Sequence, residues 1–243
     1  MKTNIVYVKF GYNREYPYIN NQFDLKVGDK VYVNGKCKDQ IGTVIEVINQ
    51  FKASIKHYKY VVQKINFDFH GKFTKCEEFF VSVGEDALPY EQVFSWIKGP
   101  SLEEEPGENE FLVCGNGYEI DLNDFDVENC ELTKYKNLED EYCFIKTIEV
   151  EFITVKNSVG KAFVYNDDEY SIVEFKIDMK TKKMSNIFCD CLSARLCFDI
   201  EAVAIAIITA IKKGVLTDDE NFTIIESELF EKIIEEKDLA ILI

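Results

Sequence analysis

Histidine is scarce in this chain, with only two residues, His57 and His70, among 243. Histidine is the side chain that most readily exchanges protons near neutral pH, so its scarcity removes most candidates for a general base. His57 lies among lysine and tyrosine residues, which indicates an exposed position on a basic surface. His70 precedes a glycine, which indicates a turn. We therefore expect neither histidine to be catalytic.

Long apolar runs and an apolar amino-terminal leader are also missing. The longest nearly apolar run, Ala202 to Ile211, is half of the roughly 20 residues that a membrane-spanning helix needs. The first residues lead directly into an alternating strand pattern, without the apolar core of a signal peptide. The eight cysteines follow no disulfide framework, which is typical of reduced thiols that pack as small hydrophobic residues. We expect a cytoplasmic protein without membrane contact, and the frequent Asn, Lys, Ile and Tyr suggest a bacterial or phage source.

Positive charge is in short supply, and unevenly so. The chain has 28 Lys and Arg residues against 44 Asp and Glu residues, which gives a net charge of −16. Residues 1–66 carry 11 basic and 5 acidic side chains, a charge of +6, so residues 67–243 carry −22. Charge of opposite sign in the two parts indicates that they attract different kinds of partner.

Short strands separated by turn signals dominate the amino-terminal part. The predicted strands are Ile5–Phe10, Arg14–Tyr18, Val31–Val33 and Ile41–Ile48. Asn34 and Gly35 form the pair that two-residue hairpin turns prefer, so we expect a tight turn there. Gly42, inside the last of these strands, predicts a bulge or a close approach of another backbone segment.

The order V-x-F, Y-x-Y, K-V-G-D-K-V-Y-V-x-G and G-T-V-I-E-V, over about residues 5–50, resembles the N-terminal barrel of the primosomal replication-restart helicase family. More broadly it resembles Src-homology-3-like barrels. The resemblance implies a small β-barrel and no helicase activity, because the chain has no G-x-x-x-x-G-K-[ST] motif. Phe51 to Lys64 is either a final barrel strand or a connecting helix. We predict a small β-barrel domain over residues 1–66.

Residues 67–243 have the pattern of an antiparallel sheet covered by helices, and we predict one acidic α+β domain there. The predicted strands are two within 65–83 joined around Gly71, Phe111–Cys114, Tyr118–Ile120, Tyr142–Val155, Ala162–Tyr165, Tyr170–Met179 and Met184–Cys191. Two of them alternate clearly, and the apolar face of each is expected to consist of Tyr142, Phe144, Ile148, Val150 and Phe152 in the first and of Val173, Phe175, Ile177 and Met179 in the second, with Glu174, Lys176 and Asp178 on its other face. The predicted helices are Pro89–Gly99, Ile200–Lys213 with Asp199 as its N-cap and Gly214 as its stop, and Ser227–Lys237. Phe222–Ile225 is compatible with a strand or a helix. An exposed acidic loop is expected over about residues 99–110.

Two clusters invite a metal interpretation. Cys189 and Cys191, with Cys197 nearby, form the tightest group of thiols, but no second cysteine pair or histidine completes four tetrahedral ligands. The acidic run from Asp121 to Glu128 lacks the glycine and the final glutamate of an EF-hand calcium loop. We therefore expect buried structural cysteines, a solvated acidic loop, no metal and no cofactor.

Two surfaces remain as candidate partner sites. Acidic residues that could engage a basic protein are Glu103, Glu104, Glu105, Glu108, Asp121, Asp124, Asp126 and Glu128. Basic and aromatic residues that could bind nucleic acid are Lys36, Lys38, Lys52, Lys56, Tyr58, Lys59 and Lys64.

Without a catalytic constellation, the charge pattern favours a non-catalytic binding protein. We expect its acidic domain to engage a basic protein, as inhibitors, immunity proteins and nucleic-acid mimics do. A nucleic-acid-associated protein that binds through the basic barrel is the main alternative, and a divalent-metal-dependent enzyme is a weaker one.

Overall fold

The computed structural model describes residues 3–11, 14–49, 57–98, 117–124, 148–166, 169–191 and 197–241. These residues fall into two compact units. The barrel unit contains those within 1–69, 91–110 and 235–243, and the sheet unit contains those within 70–90 and 111–234. The predicted acidic loop at 99–110 and the predicted strand at Phe111–Cys114 lie outside the described residues.

The barrel unit contains a closed five-stranded barrel, as the amino-terminal pattern predicts. Its strands are β1 (Asn4–Phe10), β2 (Arg14–Asn20), β3 (Lys30–Val33), β4 (Gly42–Ile48) and β5 (Lys59–Ile65). They close in the order β1-β2-β5-β3-β4, with antiparallel pairs except between β2 and β5. Alternate residues of each strand point inward, so that the interior is filled by apolar side chains such as Val6, Val8 and Val61. The sequence allows Phe51–Lys64 to be a strand or a helix, and in its described part the residues from Lys59 onward belong to strand β5.

Gly42 is closely approached, by side chains and not by the predicted backbone, and the turn after β3 also differs from the prediction. A methyl group on Gly42 would lie 2.3 Å from Val8 Cγ1 and 2.6 Å from Phe10 Cε1, so only glycine fits between these side chains. Asn34 and Gly35 do not form a two-residue hairpin, because β4 begins only at Gly42. Gly35 alone has a positive φ, and the Asn34 side chain instead accepts a hydrogen bond from the backbone N–H of Tyr60 on β5 at 2.6 Å.

The sheet unit contains an eight-stranded antiparallel sheet. Its strands are β6 (Thr74–Cys76), β7 (Phe79–Val83), β8 (Tyr118–Asp121), β9 (Ile148–Lys156), β10 (Val159–Asn166), β11 (Glu169–Asp178), β12 (Lys183–Cys189) and β13 (Phe222–Glu226). They are ordered β6-β7-β13-β9-β10-β11-β12-β8, and all neighbouring strands in this order are antiparallel. On β11 the predicted alternation is confirmed, since Val173, Phe175 and Ile177 are buried while Glu174 and Lys176 are exposed. The predicted α+β class with an antiparallel sheet is therefore confirmed.

Three helices complete the described structure: α1 (Tyr90–Phe94), α2 (Phe198–Lys212) and α3 (Ser227–Ile241). Helix α2 covers one face of the sheet, and eight of its residues are buried. Its amino-terminal cap is Cys197 and not Asp199, which lies in the first turn. Gly214, at φ +71°, ends the helix as predicted. Within the described ranges, no helix combines the length and the apolar character needed to span a bilayer.

A bulge in β9 overturns the predicted arrangement of that strand. Val150 pairs with Val164 and Phe152 pairs with the adjacent Phe163, so Glu151 is the extra residue. Because neighbouring residues of β10 point to opposite faces, Phe152 lies on the face opposite Val150. The predicted single apolar face from Tyr142 to Phe152 is therefore wrong for its described part, and residues before Ile148 lie outside that part.

Two further segments differ from or refine the prediction. The segment around Gly71 belongs to no strand, and the turn of that hairpin lies at Glu77 and Glu78, between β6 and β7. Phe222–Ile225 is a strand, and it pairs with β7 on one side and β9 on the other. A central strand position buries both faces, which explains its unbroken run of apolar and β-branched residues.

Candidate functional site

Only Asp121 and Asp124 of the predicted acidic partner residues lie in the described part of the chain. Glu103, Glu104, Glu105, Glu108, Asp126 and Glu128 lie outside it, as do Lys52 and Lys56 of the predicted basic surface. The structure therefore describes only part of each predicted site.

Asp121 is held by its own loop. Its Oδ1 accepts hydrogen bonds from Asn123 N at 3.0 Å and Nδ2 at 2.8 Å, and its Oδ2 lies 3.5 Å from Lys183 Nζ. These bonds, chiefly those from Asn123, lower the pKa of the Asp121 carboxyl. The carboxylate thus stabilises the end of β8 against β12, whereas Asp124 is exposed.

The described basic residues of the barrel divide into two groups. A methyl group added to Gly35 would lie 2.9 Å from Lys59 Cγ. The Lys59 side chain therefore packs against the turn that carries Lys36 and Lys38. All three lysines are exposed, which concentrates positive charge at this turn. Lys64 is separate, since its Nζ lies 2.7 Å from Asp29 Oδ2 and also donates to a backbone carbonyl. That ion pair neutralises the charge that Lys64 would offer to a phosphate.

Two loops meet at one end of the sheet unit and bring together an acidic surface that we call the acidic end. The N–H of Gly84 donates to the carbonyl of Asn221 at 2.9 Å, which fixes the 84–86 turn against the loop that leads into β13. The N–H of Ser158 donates to the carbonyl of Glu220 at 3.2 Å. The acidic end consists of Glu85, Asp86, Asp218, Asp219 and Glu220.

The acidic end faces water and carries little compensating charge. Glu85, Asp218 and Glu220 are exposed, and no described lysine or arginine lies within 4.0 Å of their carboxylates. Asp86 accepts a hydrogen bond from the N–H of Lys72, and Asp219 accepts one from the hydroxyl of Thr217. Carboxylates that neighbour one another without cations produce a negative potential that favours a cationic partner.

Sequence reasoning missed the acidic end because its two halves are about 130 residues apart. Asp218, Asp219 and Glu220 are visible in the sequence as an acidic run after Thr217. Their nearness to Glu85 depends on the pairing of β7 with β13, which the sequence left open. Assigning Phe222–Ile225 as a strand would have been the first step towards predicting that Asp218, Asp219 and Glu220 lie near Glu85.

The three carboxy-terminal cysteines are brought together with a carboxylate. Cys189, Cys191, Cys197 and Asp199 place their ligand atoms within 4.8 Å of one another. We call them the thiol–carboxylate cluster. Cys189 Sγ donates to Asp199 Oδ2 at 3.5 Å, and hydrogen bonding with Cys189 lowers the pKa of the Cys197 thiol to about 6. The same bond raises the pKa of Cys189.

Glu151, the extra residue of the β9 bulge, is a largely buried carboxyl group. Burial and, to a smaller extent, the nearby carboxylates of Glu226 and Glu149 together raise its pKa to about 7, while Lys232 opposes them. A carboxyl group with this pKa holds its proton in part at neutral pH.

No family model matches this sequence, and comparison with curated proteins and with solved structures gives no significant match. The function is therefore argued from the residues themselves.

Proposed function

We propose that this is a non-catalytic binding protein whose acidic part engages a basic protein partner, in the manner of an inhibitor, an immunity protein or a nucleic-acid mimic. The observation that carries the proposal is the acidic end, where Glu85, Asp218 and Glu220 stand exposed without a described cation beside them. Residues 67–243 carry −22 in all, so the field of the remaining charge adds to that of the acidic end.

Electrostatic complementarity acts mainly on the rate of association and on the choice of partner. Negative potential around the acidic end steers a basic surface towards it and repels polyanions and acidic proteins. The loops at the acidic end are anchored by backbone hydrogen bonds, so their carboxylates need little reordering when a partner binds. The predicted acidic residues from Glu103 to Glu108, together with Asp126 and Glu128, would extend the same field.

The test is affinity capture from lysate of the native host, with nuclease treatment as a control for nucleic-acid bridging. The variant removes three charges of the acidic end through Glu85→Gln, Asp218→Asn and Glu220→Gln. A matched control removes three exposed charges elsewhere in the sheet unit through Glu119→Gln, Glu174→Gln and Glu228→Gln.

We expect the wild type and the control to retain a basic protein after nuclease treatment. The acidic-end variant should retain on the order of tenfold less, as expected for the loss of local steering charge. Equal retention by the two variants would contradict the proposal.

A second candidate function is nucleic-acid binding by the barrel unit. The observation that favours it is the grouping of Lys36, Lys38 and Lys59 across the Gly35 turn, with Tyr58 next in sequence. Lysines neutralise phosphates while an aromatic ring stacks on a base, which is how many proteins hold single strands.

Fluorescence anisotropy of a labelled oligonucleotide with the full-length protein at low salt tests this second function. We expect Lys36→Glu, Lys38→Glu and Lys59→Glu together to abolish a salt-dependent signal, because each lysine removed also removes released counterions. Lys9→Glu, an exposed change on β1, is the control. No binding by the wild type at low salt would exclude this function.

The cellular location that fits both functions is the cytoplasm. Among the described residues, no disulfide bond joins Cys37, Cys76, Cys189, Cys191 or Cys197. Cysteines outside disulfides are typical of a reducing compartment, which supports the proposed location.

A further inference from the structure

The thiol–carboxylate cluster sits at the junction of two elements that the fold already holds close. Cys189 ends β12 and pairs with Val173, whose side chain lies in the core beneath α2. Cys191 follows two residues later, and its N–H donates to Cys189 Sγ at 3.4 Å. The thiols of Cys189 and Cys191 therefore lie close to the start of the helix.

The other two members come from the amino-terminal end of α2. Cys197 occupies the cap position in an extended conformation, and Asp199 lies in the first helical turn. Asp199 is 2% exposed and Cys197 is 9% exposed, so the two groups are enclosed by protein. The positive end of the helix dipole favours anionic sulfur and oxygen at these positions.

We propose that Cys189, Cys191, Cys197 and Asp199 form a tetrahedral zinc site that fastens the end of β12 to the start of α2. This inference is independent of the proposed binding function, since no residue of the acidic end takes part in it.

The distances suit zinc with a small adjustment. Zn–S bonds of about 2.3 Å and Zn–O bonds of about 2.0 Å in a tetrahedron separate two sulfurs by about 3.8 Å and a sulfur from an oxygen by about 3.5 Å. The Cys189 Sγ to Asp199 Oδ2 distance is already 3.5 Å, and no pair of ligand atoms exceeds 4.8 Å. Side-chain rotations that move the ligand atoms by about an ångström would bring the longer distances between them to the values of a zinc site.

The donor set selects the class of metal. Three thiolates and one carboxylate suit a borderline-soft cation such as Zn²⁺, whereas Mg²⁺ and Ca²⁺ require oxygen ligands. Four protein ligands fill the tetrahedron and leave no open position for substrate, which is the arrangement of a structural site. Each thiol loses its proton when it binds the metal, so binding releases protons.

The expectation of no metal, based on the sequence, leaves Asp199 out of the ligand set, because an aspartate ahead of an apolar helical run is a usual cap residue. In the structure Cys197 occupies the cap position in an extended conformation. The Cys197 thiol and the Asp199 carboxylate both lie close to the thiols of Cys189 and Cys191.

The experiment measures metal on the full-length protein. Protein purified under reducing conditions is analysed for metal by mass spectrometry, then stripped with a chelator and titrated with Zn²⁺ and with Co²⁺. We expect one Zn²⁺ per chain, and Co²⁺ should give thiolate charge-transfer absorption together with the visible bands of tetrahedral Co²⁺.

Variants locate the ligands. Cys191→Ser and Asp199→Asn should each weaken Zn²⁺ binding by tenfold or more, whereas Cys37→Ser, a buried cysteine of the barrel, should leave it unchanged. Circular dichroism confirms that each variant is folded. If a variant does not fold, the wild-type stoichiometry and the Co²⁺ spectrum still decide the question.

Three results would overturn the inference. The first is reduced wild-type protein that binds neither Zn²⁺ nor Co²⁺. The second is a Co²⁺ spectrum without thiolate absorption. The third is Zn²⁺ binding that neither Cys191→Ser nor Asp199→Asn weakens in folded protein.

Discussion

Single residues show most clearly how burial changes chemistry in this protein. Glu151 lies between Val150 and Phe152 in the sequence. Under strict alternation its polar side chain would point to the face of the sheet opposite to those two apolar residues. The bulge makes it an extra residue, and its carboxyl group becomes largely buried beside other carboxylates. Nothing in the local sequence reveals the bulge, because it depends on the register with β10.

The raised pKa of Glu151 predicts how stability depends on pH. An unfolded glutamate ionises near pH 4.3, whereas the folded carboxyl has a pKa of about 7. Between these values the folded state holds a proton that the unfolded state has released. The free energy of unfolding must therefore fall as pH rises through this interval.

Replacement Glu151→Gln removes the cost of ionising the buried group. We expect the variant to be more stable than the wild type by about 1–2 kcal/mol at pH 8 and equally stable near pH 4.5. Urea unfolding at both pH values measures this difference. Glu119→Gln, an exposed change on β8, serves as the control, and a Glu151→Gln effect that is the same at both pH values would contradict the assignment.

Among the elements, β13 has the largest structural consequences. It lies between β7 and β9 and brings Thr223 beneath the 84–89 segment. The Thr223 hydroxyl accepts a hydrogen bond from Leu88 N at 2.7 Å and donates one to Leu88 O at 3.2 Å. A buried side chain thus satisfies both backbone groups of Leu88, a pairing that buried backbone requires.

Thr223→Val keeps the shape of the side chain and removes both hydrogen bonds. We expect it to destabilise the protein by about 1–3 kcal/mol, because the Leu88 N–H and C=O would be left buried without partners. Denaturant unfolding gives the value. Thr209→Val, which removes a hydrogen bond to the Ile205 carbonyl within α2, should cost less. Equal costs would show that Thr223 does not anchor the segment.

Most elements could be predicted from the sequence because their periodicity is local. The alternation on β11 and the glycine stop after α2 depend on neighbours within one element, and both are confirmed. The prediction of a tight hairpin turn at Asn34 and Gly35 is wrong, because a residue pair that favours such a turn does not itself determine where the next strand begins. The strand at Phe222–Ile225 could not be assigned because burial on both faces leaves no alternation.

At the scale of the whole molecule, the net charge and the three thiols of the thiol–carboxylate cluster could be read from the sequence, while the acidic end could not. The acidic end joins residues near 85 with residues near 219, and the thiol–carboxylate cluster joins a strand end with a helix start. The acidic end depends on the sheet order, which places sequence-distant segments side by side, whereas the thiol–carboxylate cluster lies within residues 189–199. Composition gives the overall sign of the charge, and topology determines where charges concentrate.

The charge distribution also predicts how partner binding responds to salt. Attraction between exposed carboxylates and a basic surface weakens as the Debye length shortens, from about 10 Å at 0.1 M salt to about 3 Å at 1 M. Captured partner should therefore elute from the wild type as salt rises, and at lower salt from the acidic-end variant.

The most direct measurement is a cross-linking map of the native-host complex, made with a reagent that couples carboxylates to lysines. We predict cross-links between lysines of the partner and the acidic end, at Glu85 and at Asp218 to Glu220, with none of them dependent on nucleic acid. A complex whose cross-links avoid these residues and join the partner only to the barrel unit would contradict the proposed function.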